Sequence, residues 1–205
     1  MRKTPAELSP TKRAQILSGA SAVFSDLGYE RASVDAIAAR AGVSKATIYN
    51  HFEDKKALFV ACLSEETRAV EERLREVLDT PSGDLERDLQ LIGEALMRLL
   101  LSPAILKRYR IFAAQVDRFP ELGVALFEQG TSATQLRMTL YLERASAAGA
   151  LRLEDPAQAA LDFLALCHGD IPIRAQLGVL KSLTDEQIRA RVAHAVRVFL
   201  CSYHP

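Results

Sequence analysis

Apolar residues recur at intervals of three and four almost from end to end of this chain, and alternation of period two is absent. Only a 3.6-residue repeat gathers such positions on one face, so the pattern confines the chain to helices. Capping signals cut it into about nine of them. Ser9-Pro10 pairs an N-cap with proline at the first helical position, after an arm at 1–8, and Gly28 closes the helix carrying Ile16, Ala20, Phe24 and Leu27. Ser33 caps a second helix through Ala41, Gly42 makes a turn, and Ser44 caps a third to about Phe52. Asp54 opens a long helix to about Leu78, and Thr80-Pro81-Ser82-Gly83 is the clearest loop. Helices are then expected over 84–101, from Pro103 to about Asp117, and from Pro120 to near Gly149. One more starts at Asp155-Pro156 and is interrupted at Gly169 and Pro172. Thr184 and Gln187 form a capping box for the last, ending near Ser202. The expected division is a three-helix head at 1–52 and a helical body at 53–205.

The formal net charge is zero over 205 residues, but it is unevenly spread. Residues 1–60 hold nine Lys/Arg against six Asp/Glu. A polyanion-binding face is therefore permitted in the head and disfavoured elsewhere. Three widely spaced cysteines with no C-x-x-C fit a reducing compartment rather than a disulfide framework. The N-terminus lacks a signal-peptide core and no apolar run approaches 18 residues, so a cytoplasmic protein with no membrane partner is expected.

Ala38, Gly42 and Ile48 carry the spacing of a helix-turn-helix: a small residue where two helices cross, a left-handed turn, and an apolar plug on the second helix. Spacing alone leaves a plain helical corner open. The third helix decides between them. It exposes Lys45, Thr47, Tyr49, Asn50 and His51 and has no acid before Glu53. Thr, Tyr, Asn and His are poor helix formers but good partners for phosphates and base edges. Cations also stand at helix starts where the macrodipole disfavours them: Lys12 and Arg13, Lys45, then Lys55 and Lys56. Facing phosphate, the same cations are favourable.

The segment G-Y-x-x-A-S-V-x-x-I-A-x-x-A-G-V-S-K-A-T-I-Y-N-H-F-x-x-K-x-x-L-F, residues 28–59, resembles the head of the TetR family of one-component transcriptional regulators. The resemblance implies a DNA-binding domain followed by a ligand-binding and dimerisation domain. It implies that Ser33, Ser44, Thr47, Tyr49, His51 and Lys55 hold the phosphate backbone, while Lys45, Ala46 and Asn50 face base edges. Family members commonly have glycine where this chain has Ala46. The implied function is a repressor that binds a palindromic operator in double-stranded DNA as a homodimer and is released by a small molecule.

In the body, polar or soft residues that interrupt apolar runs are candidates for an effector site: Met97, Tyr109, Arg110, Phe112, Gln115, Phe163, Cys167, His168 and Arg174. Taken together they favour a small, largely hydrophobic effector. Leu161, Phe163, Leu164 and Leu166, with Ile188, Val192, Ala195, Val196, Phe199 and Leu200, make stripes wider than one core needs, and the resemblance implies a dimer through these last two helices. An adaptor whose body binds a protein instead of a metabolite is the alternative. No metal-ligand spacing, cofactor motif or nucleophile–base pair is present, so neither a cofactor nor an enzyme is expected. Cys62, on an apolar face, reads as an inert core thiol.

Overall fold

The computed structural model describes residues 10–203; the expected Ser9 cap and the arm at 1–8 lie outside the described residues. The described chain is helical throughout, without strands. In order come α1 (Pro10–Arg31), α2 (Val34–Ala41), α3 (Lys45–His51), α4 (Lys55–Asp79), α5 (Leu85–Leu100), α6 (Pro103–Ala113), α7 (Pro120–Leu126), a π-helical stretch (Phe127–Ser132), α8 (Ala133–Ala147), α9 (Pro156–His168), α10 (Ile171–Gln176) and α11 (Asp185–Tyr203). The described residues up to Thr67 and from Arg68 onward form two compact units.

The caps explain why these elements start where they do. The side chains of Ser33, Ser44, Asp54, Asp84, Ser102 and Asp155 each accept a backbone N–H of the turn they open. Thr184 and Gln187 exchange side chain and backbone bonds at 3.2 and 2.9 Å, closing the capping box ahead of α11. Gly28 breaks the first helix with φ 74°, ψ 170°, but the chain re-enters a helical turn as far as Arg31. One expected helix is shorter than its periodicity implies, and another is not uniform. Pro120 forces Phe119 out of the helical region, and α6 has already stopped at Ala113, with residues 114–118 turning instead. The expected helix from Pro120 to Gly149 changes its hydrogen-bond register over Phe127–Ser132. Apolar spacing cannot report such a register change.

The first unit packs Ile16, Leu17, Ala20, Ile37, Ala38, Ala41, Ile48 and Phe52 into one small core. Phe24, Tyr29 and Phe59 form an aromatic cluster at its edge, with Phe59 centred 4.8 Å from both other rings. The second unit is built around α5, α8, α9 and α11. Phe163 and Phe199 meet edge-on at 5.3 Å in its centre, and Met97 and Cys167 are fully buried beside them.

The C-terminus of α11 is tied down by the Tyr203 hydroxyl, which donates to Asp162 at 2.5 Å, and by the Tyr203 carbonyl, which accepts from Arg152 N–H. Hydrogen bonds from Tyr203 and Gln158 hold the Asp162 carboxyl below its usual range. The bond to Asp162, helped by burial, pushes Tyr203 up to about 12. The signs set a window. A lowered carboxyl stabilises above about pH 4 and loses that contribution as pH falls, and a raised phenol stabilises below about pH 10 and loses it as pH climbs towards 12. Urea midpoints of Tyr203→Phe should therefore fall below those of the parent across the neutral range. The gap should narrow as pH falls through the Asp162 titration; a gap that does not narrow in acid would refute the assignment.

Candidate nucleic-acid interface and body cavity

In the first unit α2 and α3 make a helix-turn-helix. Gly42 occupies the left-handed region at φ 63°, ψ 38°, which a residue with a Cβ adopts only with strain. Its N–H reaches the Ala39 carbonyl and the Val43 N–H reaches that of Ala38, closing the end of α2. The Gln15 side chain adds a third bond there, to the Ala41 carbonyl at 2.7 Å. Gly19 supplies the close approach: a Cβ on it would lie 2.7 Å from the Ala41 Cβ and 2.8 Å from its Cα and N. Ala38 is buried as expected, and Ala41 is the residue of α2 that Gly19 of α1 lets approach so closely.

Ile48 and Phe52 anchor α3 from below. Lys45, Ala46, Tyr49 and Asn50 are exposed, spaced to share one outer face, while Thr47 and His51 are half-buried at its edge. Tyr49 keeps 43% of its surface exposed, so its ring is presented outward rather than used in the core. Ser33 and Ser44 are exposed caps, with backbone donors at 3.1 and 3.0 Å. Thr47 also exchanges a hydroxyl bond with Ser44 at 2.8 Å.

Two cations have partners that sequence did not show. The Lys45 ammonium pairs at 3.1 Å with Asp35 of α2, both side chains being largely exposed. Such a pair is worth about 0–1 kcal/mol, so a stronger anion or a base edge can replace it. Lys55 is held more firmly. Its ammonium donates to the carbonyls of Tyr29, Ala32 and Glu30 at 2.9, 3.0 and 3.4 Å and lies 4.5 Å from the Tyr29 ring centre. A cation at these carbonyls is where the negative end of a helical turn wants one. Lys55, expected to face phosphate, thus also closes the end of α1.

The second unit contains a cavity of about 300 Å³. Tyr109 and His168, of the nine body candidates, line it, and Pro172 stands beside His168 in the wall. Met97, Phe112, Phe163 and Cys167 are buried in the packed core and do not line it. Arg110 and Arg174 are exposed, turned to the Ala175 carbonyl and to Asp170, and Gln115 is half-buried off the wall. Leucine is instead the commonest residue of the wall, with Leu74, Leu78, Leu96, Leu99, Leu100 and Leu164, and its charge comes from Glu71, Arg75, Arg108 and Arg137. Arg108 is buried and bonds Glu71 at 2.6 Å. The Gly130–Thr131 part of the π-helical stretch borders the same space.

The two buried thiols, Cys62 and Cys167, carry no reactive signature. Burial pushes Cys62 up to about 11 and Cys167 up to about 12, so little thiolate is available at neutral pH. Among the described residues no group of three or more His, Cys, Asp or Glu is placed to hold a metal ion, and no single helix is long and apolar enough to cross a membrane. Five apolar residues of α11 serve its own core: Ile188, Val192, Ala195, Val196 and Phe199 are all buried. Leu161 on α9 remains 43% exposed, and Leu177 and Val179 beyond α10 are exposed further.

Comparison with known proteins places both units. Residues 16–62 match the bacterial regulatory proteins of the tetR family, and residues 87–205 match the C-terminal domain of AefR-like transcriptional repressors. The HTH-type transcriptional activator FasR of Mycolicibacterium smegmatis is 41% identical over 76 residues, 37% of this chain and 35% of that protein. An HTH-type transcriptional repressor of Mycobacterium tuberculosis is 39% identical over 67 residues, 33% of this chain and 36% of that protein. The chain thus spans about a third of the length of these curated relatives. Among solved structures, the flavonoid-responsive regulator FrrA superposes with a TM-score of 0.82 at 32% identity, covering 96% of this chain and 99% of that one. With a helix-turn-helix head, a helical body and matches across both, the chain belongs to the TetR family of bacterial transcriptional regulators.

Proposed function

We propose that the protein is a ligand-responsive repressor that binds a palindromic operator as a homodimer and is released when a small molecule enters its body. The observation that carries this reading is the pairing of an exposed, acid-free α3 with a leucine-lined cavity in the second unit. The domain division read from sequence, 1–52 and 53–205, assigns DNA contact to the first part and ligand and partner contact to the second. Ser33, Ser44, Thr47, Tyr49 and His51 take phosphates. Lys45 suits guanine acceptors, Asn50 suits adenine, and the Ala46 methyl suits a thymine methyl. Lys55 adds its charge from behind this surface while its ammonium stays on the carbonyls.

One head reads few base pairs, so selectivity calls for a two-fold pair. Outward apolar residues such as Leu161 support pairing through α9 and α11, the latter contributing its edge rather than the face already buried. A dimer should sediment at twice the chain mass and select an inverted repeat from a random duplex pool. Release requires that the effector bind the geometry that does not hold DNA more tightly, with a typical coupling of about 1–3 kcal/mol. The similarity to a flavonoid-responsive regulator supports an effector with a substantial apolar body. Selection of an inverted repeat with no compound able to release it would favour the adaptor reading instead.

The two kinds of contact separate by mutation. Asn50→Ala should cost about 1–3 kcal/mol of discrimination at one base pair in each half-site. Tyr49→Ala should weaken binding to all sequences alike, with the salt slope unchanged because a phenol releases no counterion. Binding to a panel of single-base operator variants checks both. Uniform weakening by Asn50→Ala would overturn its base-edge role.

A further inference from the structure

We infer that the body cavity takes an organic monocarboxylate whose acid group binds Arg108 in exchange for Glu71. The inference rests on the effector-responsive reading above and names the ligand's class. Size comes first. A cavity of about 150 Å³ holds one benzene ring, so 300 Å³ suits a ligand of about 12 non-hydrogen atoms. Leu74, Leu78, Leu96 and Leu99 give it an aliphatic lining that rewards an apolar body.

Charge selects the head group. Three guanidinium groups, Arg75, Arg108 and Arg137, border the space against the single carboxylate of Glu71. Arg75 and Arg137 pair with Glu72 and Asp79, which stand off the wall, and the side chains in those pairs are 39–51% exposed. Pairs this exposed bind weakly and can be exchanged. Arg108 is the asymmetric case: its side chain is 8% exposed, whereas its partner Glu71 is 26% exposed. Glu71 can return to water at modest cost, but Arg108 cannot. A guest carboxylate keeps the buried guanidinium paired, with the option of two parallel N–H···O bonds.

The backbone beside it leaves room for this exchange. Gly130 lies in the π-helical stretch, and a Cβ there would stand 3.5 Å from Arg108 Nη2. A longer side chain at that position would cover the guanidinium. Local π turns inside helices often accompany binding sites, and this one borders the cavity at the only buried cation of its wall among the described residues.

Calorimetric titration of the full-length protein with decanoate, 1-decanol and decylamine tests the inference. Decanoate should bind at least tenfold more tightly than decanol, and decylamine should not bind measurably. Glu71→Gln removes the competing carboxylate and should tighten decanoate several-fold while leaving decanol unchanged. The double variant Glu71→Gln/Arg108→Gln, which avoids stranding a buried charge, should lose the preference for acid over alcohol. Decanol binding as tightly as decanoate would overturn the acid class and leave the effector reading intact. Weaker decanoate binding in Glu71→Gln would show that Glu71 does not compete with the guest acid and would also overturn it. If none of the probes binds, the carboxylate class falls. The effector reading falls only if a wider compound screen also fails to release the operator.

Discussion

Gly19→Ala is expected to cost at least a hundredfold in operator binding while leaving the proposed uptake of ligand by the body unchanged. The new methyl would stand 2.7–2.8 Å from Ala41, and two of the three atoms it meets, Cα and N, are backbone. No rotamer change relieves a clash with backbone, so α1 and α2 must separate. Overpacking costs about 1–3 kcal/mol at sites that can adjust, and this site has little freedom to do so. Separation also strains the Gln15 bond to the Ala41 carbonyl, which helps close the end of α2 before the Gly42 turn. The orientation of α3 depends on that turn. Fluorescence anisotropy with labelled operator should show at least a hundredfold loss, and circular dichroism should show an early melting step. Operator affinity within threefold of the parent would mean that the crossing is slack.

Lys55→Met has the second large effect, and it acts on stability before it acts on DNA. Methionine keeps the apolar stem but removes an ammonium that donates to three carbonyls and sits over the Tyr29 ring. Hydrogen bonds to charged groups contribute about 1.5–3 kcal/mol each in favourable settings, so a loss of about 3 kcal/mol is expected for this partly exposed set. Lys55→Arg makes the diagnosis. A planar guanidinium keeps the charge but cannot reproduce three ammonium bonds converging on one turn. If Lys55 works by closing α1, arginine should remain destabilised in thermal melts. If it were chiefly a phosphate clamp, arginine would restore both melting temperature and DNA affinity.

Much of the head is legible from its residues because its signals are local. Ser33, Gly42 and Ser44 act within one turn of themselves, and the exposure of Lys45, Tyr49 and Asn50 follows once Ile48 and Phe52 point inward. Distant partners were invisible. Lys55 and Tyr29 are 26 positions apart, as are Gln15 and Ala41, and Lys45 finds Asp35 from the preceding helix. The body shows the same limit more strongly. Met97, Phe163 and Cys167 interrupt apolar runs, which made them candidate ligand contacts, but each packs into the core. Arg108 and Leu96 border empty space instead. Periodicity says that a side chain points inward; it does not say whether a neighbour or a void meets it.

Sequence alone therefore established the helical class, the helix-turn-helix and its outward chemistry. Those depend on 3.6-residue spacing, caps and a left-handed glycine, all set by neighbours along the chain. Tertiary structure decided that Gly19 seats Ala41, that Lys55 closes α1, and that the cavity pairs leucine walls with a buried arginine. Those outcomes come from packing between segments far apart in sequence, where a difference of one methyl group or one partner atom separates a filled core from a binding site.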